Sequence, residues 1–362
     1  MEDVLLPLGQ VAAIGGAVAI GPLLWWRQRS RSSTPAGRLR ALTLLTLFLT
    51  FDLIVFGAFT RLTDSGLGCP DWPGCYSAAS PFGAREHIEA AQTAMPTGPV
   101  THGKAWIEMI HRYLASGVGL LILVMAVLSW RLQRQVGQGA PSPWWATLTL
   151  VWVCVQGAFG ALTVTMKLFP AIVTLHLVFG MGLLMLLAWQ HEAYRPQPIA
   201  GPPGLRTLAG IVLALALVQV ALGGWVSTNY AVLACDEFPT CHGGQWWPHL
   251  DFAQGFQLWR ELGQRAGGGY LGFDALAAIH MSHRLGAAVV FTALLLLAWR
   301  LRPHAPGAAR GLLAVAAWQF ASGLSNVVLD WPIVAALAHT AGAAVMLGLL
   351  TTLFARLRRT VS

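Results

Sequence analysis

The sequence predicts an all-α integral membrane protein, built from two pseudo-symmetric four-helix bundles and an additional N-terminal transmembrane helix. Its 362 residues are 56% hydrophobic and only 10% charged, whereas soluble domains are roughly a quarter charged. The charged residues crowd into short stretches and leave apolar blocks of about 20 residues, the length that crosses a bilayer. The second half of the chain also repeats features of the first. This composition excludes a water-soluble enzyme.

Nine apolar runs, each bounded by charge or by Pro and Gly, are the predicted membrane spans. In chain order they cover residues 4–26, 41–60, 105–130, 144–166, 170–190, 205–228, 274–299, 310–330 and 332–356. A signal peptide starts with Lys or Arg and ends at a small-residue cleavage site. The first run instead follows Met-Glu-Asp and leads into Trp25-Trp26-Arg27. We therefore expect a retained helix with an external N-terminus.

The basic residues predict the orientation, because cytoplasmic loops carry an excess of Lys and Arg. One set of alternate connectors holds most of them: Arg27, Arg29, Arg31, Arg38, Arg40, Arg131, Arg134, Arg195, Arg206, Arg300, Arg302, Arg310, Arg356, Arg358 and Arg359. We expect these connectors and the C-terminus to be cytoplasmic and the long loops to be external. The sequence contains no basic cluster with interleaved aromatic residues, the pattern that would indicate nucleic-acid binding. No mitochondrial transit peptide is visible either, so we expect a bacterial inner (plasma) membrane.

The cysteines agree with this orientation. Cys69 with Cys75 and Cys235 with Cys241 form two pairs of equal spacing, both in loops expected outside. Disulfides persist in an oxidising compartment, so two disulfides are favoured over the alternative, a zinc site made from all four thiols. Cys154 stands alone in an apolar span, where we expect it to fill the core.

An internal duplication divides the chain. The corresponding segments are Gln156–Gly160 with Gln319–Gly323, His176 with His339, and Ile110–Arg112 with Ser282–Arg284. We predict an N-terminal helix with a basic connector over residues 1–40, one four-helix bundle over 41–190 and a second over 191–362. The interior of such bundles commonly holds cofactors, so two similar bundles predict two similar pockets.

Four histidines within the spans, His111, His176, His283 and His339, share a similar depth. At about 1.5 Å per residue, all four lie roughly 10–15 Å inside the outer edge. A single buried histidine often only bonds a neighbouring carbonyl, but four at matched depth favour a functional role. Two per bundle are too few for zinc or copper, whereas haem iron takes one or two axial ligands.

Two arginines and two carboxylates accompany these histidines. Arg112 and Arg284 follow His111 and His283, and a guanidinium in an apolar span needs an anionic partner, such as a haem propionate or a carboxylate. Glu108 stands one turn before His111, where the second half has His280. It is either a proton-exchanging catalytic group or the salt-bridge partner of Arg112 or Arg61, and Asp52 is a second carboxylate candidate for these arginines. If this asymmetry is functional, the first bundle does chemistry and the second stores or passes electrons.

These residues resemble a known family. The stretches GAFTRLTDSGLGCPDWPGC (57–75), MPTGPVTHGKAWIEMIHR (95–112), TLHLVFG (174–180) and HMSHRLG (280–286) look like those of haem A synthases. The similar version has paired external cysteines and an extra N-terminal helix, and the resemblance covers about residues 41–355. It implies oxidation of the C8 methyl of haem O to the formyl group of haem A.

The resemblance also implies roles for individual residues. His283 and His339 would bind a resident haem b, His111 and His176 would bracket the substrate haem, and Glu108 would be the essential carboxylate. The implied partners are haem O and haem A, membrane lipid, haem O synthase and cytochrome oxidase assembly proteins. The electron acceptor is not defined by the sequence.

Other functions stay open at this point. A bis-histidine di-haem b-type cytochrome, which passes electrons between quinol and a partner, would have the same histidine geometry and would make no formyl product. A transporter using the two repeats for alternating access often has broken helices in mid-membrane. A haem prenyltransferase is disfavoured because paired Asp-rich motifs for magnesium and diphosphate are missing from the sequence.

Overall fold

The computed structural model describes residues 2–137, 140–265 and 268–359, which form eleven α-helices, one 3₁₀ turn and two short strands. The helices are α1 (Glu2–Arg29), α2 (Pro35–Leu62), α3 (Arg85–Ala94), α4 (His102–Val136), α5 (Trp144–Thr165), α6 (Pro170–Tyr194), α7 (Leu205–Thr228), α8 (Phe252–Gly255), α9 (Phe273–Leu301), α10 (Pro306–Val328) and α11 (Ile333–Arg356). The strands are β1 (Ile199–Gly201) and β2 (Leu357–Arg359), and the 3₁₀ turn is Ala231–Leu233.

Within the described residues, nine of these helices are long and apolar enough to cross a membrane. The prediction of an all-α, multi-pass membrane protein is therefore confirmed. Several helices extend beyond the predicted spans. For example, α4 runs from His102 to Val136, whereas the apolar run covers 105–130. The hydropathy pattern stops at the first charged residue, but backbone hydrogen bonding continues through polar residues at both ends.

Local sequence signals mark the start of three of the long helices. The side chain of Thr101 accepts a hydrogen bond from the backbone N–H of Lys104, and Thr34 accepts one from Gly37. These N-caps satisfy amide groups that have no partner inside the helix. Pro35 and Pro306 begin α2 and α10, positions where the missing N–H of proline costs nothing.

The chain forms two compact units. The first comprises the described residues of Met1–Leu168 and Gly182–Arg195, and the second those of Phe169–Met181 and Pro196–Ser362. In the first unit α4 packs against α1, α2 and α5. The crossing of α1 and α4 is close, since a Cβ atom at Gly117 would lie 3.2 Å from the carbonyl oxygen of Gly15. The three-part division 1–40, 41–190 and 191–362 stays a prediction.

In the second unit α9 packs against α7 and α10, and α11 also packs against both α7 and α10, so the four helices form a closed bundle. Its core contains fully buried leucines on two helices, Leu294, Leu297, Leu301, Leu347 and Leu350. The parallel strands β1 and β2 pair Ile199 with Leu357 beside this bundle. The pairing joins segments far apart in the sequence, and neither segment shows a strand pattern.

The expectation for Cys154 is wrong. The thiol is free and exposed on α5 instead of filling the core. Lipid tails are as apolar as a protein interior, so an apolar span does not reveal which of its faces is buried.

Candidate functional site

The four predicted histidines lie in α4, α6, α9 and α11. At about 1.5 Å per residue, the histidines lie roughly 9–15 Å from the N-terminal ends of these helices. His111 belongs to the first unit, whereas His176 belongs to the second with Phe169–Met181. The pairing of these two around one ligand stays a prediction.

His283 and His339 face each other inside the second unit. Their ring centres are 6.4 Å apart and the ring planes are inclined by 80°. A metal–imidazole bond is about 2 Å long, so two such bonds to one ion would span about 4 Å between the two nitrogens. Both imidazoles would therefore be within reach of one metal ion, which would lie between the rings.

The Nδ1 edge of His339 is fixed by a serine on the neighbouring helix. Ser322 Oγ donates to the carbonyl oxygen of Trp318 at 2.8 Å and lies 3.0 Å from Nδ1 of His339. Because its proton is used on Trp318, the hydroxyl accepts from Nδ1–H. This tautomer leaves the lone pair of Nε2 available, which is the form of histidine that binds a metal.

Glycines on the partner helices lie directly against both rings. A Cβ atom at Gly223 in α7 would come within 3.0 Å of Cε1 of His283, and one at Gly323 in α10 within 3.1 Å of Cε1 of His339. Gly57 in α2 lies against His111 as well, but there the nearest ring atom to an added Cβ is Nε2, at 3.0 Å. Because these three residues have no side chain, each imidazole can lie close to the backbone of the neighbouring helix.

Glu108 is buried at the N-terminal end of α4, with 4% of its surface exposed. Its Oε2 accepts a hydrogen bond from the backbone N–H of Cys69 at 2.8 Å, and its Oε1 lies 2.5 Å from Nη2 of Arg112. Of the two alternatives for this carboxylate, the structure therefore contains the ion pair with Arg112. Its role as a proton-exchanging group stays a prediction. Asp52, the other candidate carboxylate, is exposed on α2.

Arg112 and Arg284, at equivalent positions of the repeat, each bond the loop that contains the cysteine pair of their own unit. Nη1 of Arg112 donates to the carbonyl oxygens of Asp71, Pro73 and Gly74. Arg284 donates to those of Cys235, Glu237 and Thr240, at 2.8–3.0 Å. The expected anionic partner of Arg112 is thus Glu108, while Arg284 bonds carbonyl dipoles. Their roles toward haem propionates stay predictions.

Both predicted disulfides are present. Cys69 is bonded to Cys75 and Cys235 to Cys241, with Cα–Cα distances of 4.9 and 4.2 Å. The alternative zinc site has no support, since the described residues contain no group of three or more candidate metal ligands. We call residues 69–75 the first cysteine loop and residues 235–241 the second.

An exposed ion pair borders the second cysteine loop. Nδ1 of His242 lies 2.9 Å from Oδ1 of Asp236. The hydrogen bond from His242 lowers the pKa of Asp236, and the same bond raises the pKa of His242 above its ordinary value. Further along this loop region, burial lowers the pKa of the Arg260 guanidinium, which bonds the side-chain oxygen of Asn229.

Position 280 differs from position 108 in its hydrogen bonding as well as in its chemistry. Nδ1 of His280 lies 3.0 Å from the carbonyl oxygen of Ala231, to which it donates. Glu108 instead accepts from a backbone N–H of its loop. Glu108 therefore connects α4 to the loop of the first unit, and His280 connects α9 to the loop region of the second. Only position 108 supplies a carboxylate.

Sequence reasoning missed three residues that contact the histidines of the second unit. Gln219 bonds His283, while Gln319 and Ser322 lie against His339. A signal was available, because Gln-x-x-x-Gly occurs in α7 and in α10, with the glycine that contacts the ring in the last position. Comparison of the two halves showed that Gln319–Gly323 is repeated, but it did not predict that this segment contacts His339.

The fold and the site define a multi-pass membrane protein with facing histidines inside one helical bundle and a buried carboxylate beside a third histidine. Residues 40–351 match the family model described as cytochrome oxidase assembly protein, COX15-CtaA. The heme A synthase of Shewanella oneidensis is 39% identical over 315 residues, which cover 85% of this chain and 93% of the relative. The heme A synthase of Methylobacterium radiotolerans is 29% identical over 353 residues, covering 90% and 91%. The chain belongs to the haem A synthase family, and it is an oxidoreductase of haem A biosynthesis that acts on a haem substrate.

Proposed function

We propose that this enzyme oxidises the C8 methyl group of haem O to the formyl group of haem A, with a haem b in the second unit as its electron-transfer cofactor. The observation that carries the cofactor assignment is the His283–His339 pair, whose ring centres are 6.4 Å apart. Glycines 223 and 323 bring both imidazoles close to the helix backbones. A bound haem supplies one-electron chemistry at this place.

Glu108 is the proposed catalytic carboxylate of the first unit. Conversion of a methyl to a formyl group adds one oxygen atom and, with water as its source, releases protons and electrons. The reaction therefore needs an electron acceptor and a proton-accepting group near the substrate. Both oxygens of Glu108 already accept one hydrogen bond, from Cys69 N–H and from Arg112. Each carboxylate oxygen has a second lone-pair site, so the group keeps capacity to accept a proton while its position is fixed.

His111 and His176 are the proposed ligands of the substrate haem. His111 lies one helical turn after Glu108 on the same face of α4. Iron ligation by His111 would therefore hold the substrate ring close to the carboxylate. The second unit has His280 in place of Glu108, which fits a haem that carries electrons and is not itself modified.

We further propose an inner (plasma) membrane location with both cysteine loops on the periplasmic side. The basic residues concentrate in the connectors at the opposite helix ends, as cytoplasmic loops do. Both cysteine loops contain a disulfide, and disulfides persist outside the cytoplasm. Haem O synthase and other cytochrome oxidase assembly proteins are the proposed partners.

Co-expression with a haem O synthase, followed by chromatography of the extracted haems, tests this function. The wild-type chain should convert haem O to haem A, and Glu108→Gln should abolish the conversion while leaving b-type absorption from the second unit. Glu89→Gln is the matched control, because Glu89 is exposed on α3. Haem A at the normal yield from Glu108→Gln would contradict the catalytic role. A b-type spectrum without any formyl product from the wild type would instead support the electron-transferring cytochrome.

A further inference from the structure

Gln219 lies one helical turn before Gly223 in α7 and contacts His283 at two points. Its amide nitrogen donates to the carbonyl oxygen of His283 at 2.9 Å and lies 2.9 Å from Nδ1 of the same residue. Gly286, three residues after His283, leaves room for this amide, since a Cβ atom at position 286 would collide with Oε1 of Gln219. The amide therefore contacts both the backbone and the ring of one histidine.

Gln319 has the same relation to His339 between α10 and α11. In the amide orientation that satisfies both of its ends, the nitrogen donates to the carbonyl oxygen of His339 at 3.0 Å and lies 3.2 Å from Nδ1. The amide oxygen accepts from the N–H of Ala343 at 3.1 Å. Gly342 again follows the histidine by three residues, and a Cβ atom there would come within 2.8 Å of the Gln319 amide.

The two helix pairs thus share a pattern with complementary parts, Gln-x-x-x-Gly on one helix and His-x-x-Gly on its partner. The sequence of the first half departs from this pattern. Around His111, Leu53 replaces the glutamine and Leu114 replaces the glycine of the pattern. Near His176, Gln156 and Gly160 keep the Gln-x-x-x-Gly part, but Phe179 replaces the glycine three residues after the histidine. The complete pattern therefore belongs to the half for which we propose the resident haem.

We propose that Gln219 and Gln319 are positioning residues, which fix the ring orientation and the Nδ1 hydrogen bonding of His283 and His339 when these histidines bind haem iron. The inference rests on the proposed haem b site. Hydrogen-bond partners of the non-ligating histidine nitrogen set the tautomer and the basicity of a metal ligand. Iron binding through Nε2 leaves a proton on Nδ1, so in the iron-bound state the amide must present its oxygen to Nδ1–H, as Ser322 presents its hydroxyl oxygen to His339.

A purely structural role for these amides predicts a different outcome. Both glutamines also bond the backbone of the neighbouring helix, and loss of that bond alone would lower stability without changing the electronic properties of the iron. The reduction potential and the low-spin ferric electron paramagnetic resonance spectrum respond to the hydrogen bond at Nδ1. They therefore separate positioning of the ligand from packing of the helices.

The test uses the full-length protein, purified with the haem it retains from expression. Gln219→Glu and Gln319→Glu place a carboxylate beside Nδ1–H, which increases ligand basicity, so the midpoint potential should fall and the resonance spectrum should shift. Gln219→Leu and Gln319→Leu should release haem to apomyoglobin faster, by about 10–100-fold. Gln190→Leu is the matched control, because Gln190 is a fully buried glutamine of the first unit. It should leave the potential and the release rate unchanged.

Wild-type potentials and spectra in both Glu variants, together with wild-type release rates in both Leu variants, would overturn the inference. If the Leu variants are too unstable to purify, the Glu variants decide, because they preserve side-chain size. A wild-type protein that binds no bis-histidine iron porphyrin would overturn the proposed haem b site itself. That failure is distinguishable, since it is visible before any glutamine is changed.

Discussion

Arg112 and Glu108 form a buried ion pair one helical turn apart, with Nη2 2.5 Å from Oε1 and less than a tenth of either side chain exposed. The second terminal nitrogen of Arg112 donates to three carbonyl oxygens of the first cysteine loop. The proposed catalytic carboxylate, its counter-ion and the disulfide-closed loop are therefore one hydrogen-bonded assembly.

This assembly predicts strong energetic coupling between the two charged side chains. Arg112→Gln should destabilise the first unit by about 3–5 kcal/mol, because it leaves the Glu108 charge buried without its partner. The double variant Glu108→Gln/Arg112→Gln should recover much of that loss. Thermal unfolding of the wild type, the two single variants and the double variant measures the coupling. Additive losses in the double variant would contradict it.

The sequence predicts the global architecture of this protein better than the detail of its contacts. All nine spans and both disulfides follow from hydropathy and cysteine spacing, because membrane thickness and loop closure impose strong and simple constraints. The side of a span that faces lipid leaves no such mark, which is why Cys154 was misplaced. The loop carbonyls that bond Arg112 and Arg284 are backbone groups, and their positions depend on a folded loop that no residue type reveals.

Gly323 predicts a steric effect on the facing histidine. Gly323→Ala would place a Cβ atom 3.1 Å from Cε1 of His339, so the imidazole must shift, and we expect weaker haem retention and an altered absorption spectrum. Gly311→Ala is the control on the same helix, since the nearest atom to its added Cβ is a Leu349 methyl at 3.9 Å. That substitution should raise helix stability by up to about 1 kcal/mol. Identical haem spectra in both variants would show that Gly323 has no steric role.

The His242–Asp236 pair predicts a pH window for the second cysteine loop. The pKa of His242 is raised above 6.5, so its stabilising contribution is full below that value and is lost as pH rises through the raised pKa. The pKa of Asp236 is lowered below 3.8, so its contribution is present above 3.8 and is lost as pH falls through the lowered pKa. The loop should be most protected between these two pKa values.

Reduction of the Cys235–Cys241 bond by a water-soluble phosphine measures this protection, because both sulfur atoms are buried and the loop must open first. The reduction rate should rise above the raised pKa of His242, and His242→Gln should remove the pH dependence. The first cysteine loop is the internal control, since Pro70 and Tyr76 occupy the corresponding positions. An equal pH response of the two loops would contradict the role of the ion pair.

Gln190 is the centre of a polar network buried in the first unit. Oε1 of Gln190 accepts from Thr149 Oγ1 at 2.8 Å, and Nε2 donates to the hydroxyl of Tyr194 at 3.0 Å. A buried polar group that loses its partner costs about 1–3 kcal/mol. Thr149→Val should therefore destabilise the protein by that amount, although it preserves the shape of the side chain.

Thr292→Val is the matched control, because Thr292 is exposed on α9 and its hydroxyl bonds only the carbonyl of Ala288 among the hydrogen bonds of the described residues. We expect its thermal unfolding to stay within about 0.5 kcal/mol of the wild type, as for ordinary surface substitutions. Gln190→Leu/Thr149→Val should be less destabilised than the sum of the two single variants, since removal of both partners leaves fewer unsatisfied groups than removal of one. Equal stability of Thr149→Val and Thr292→Val would show that the network does not stabilise the first unit.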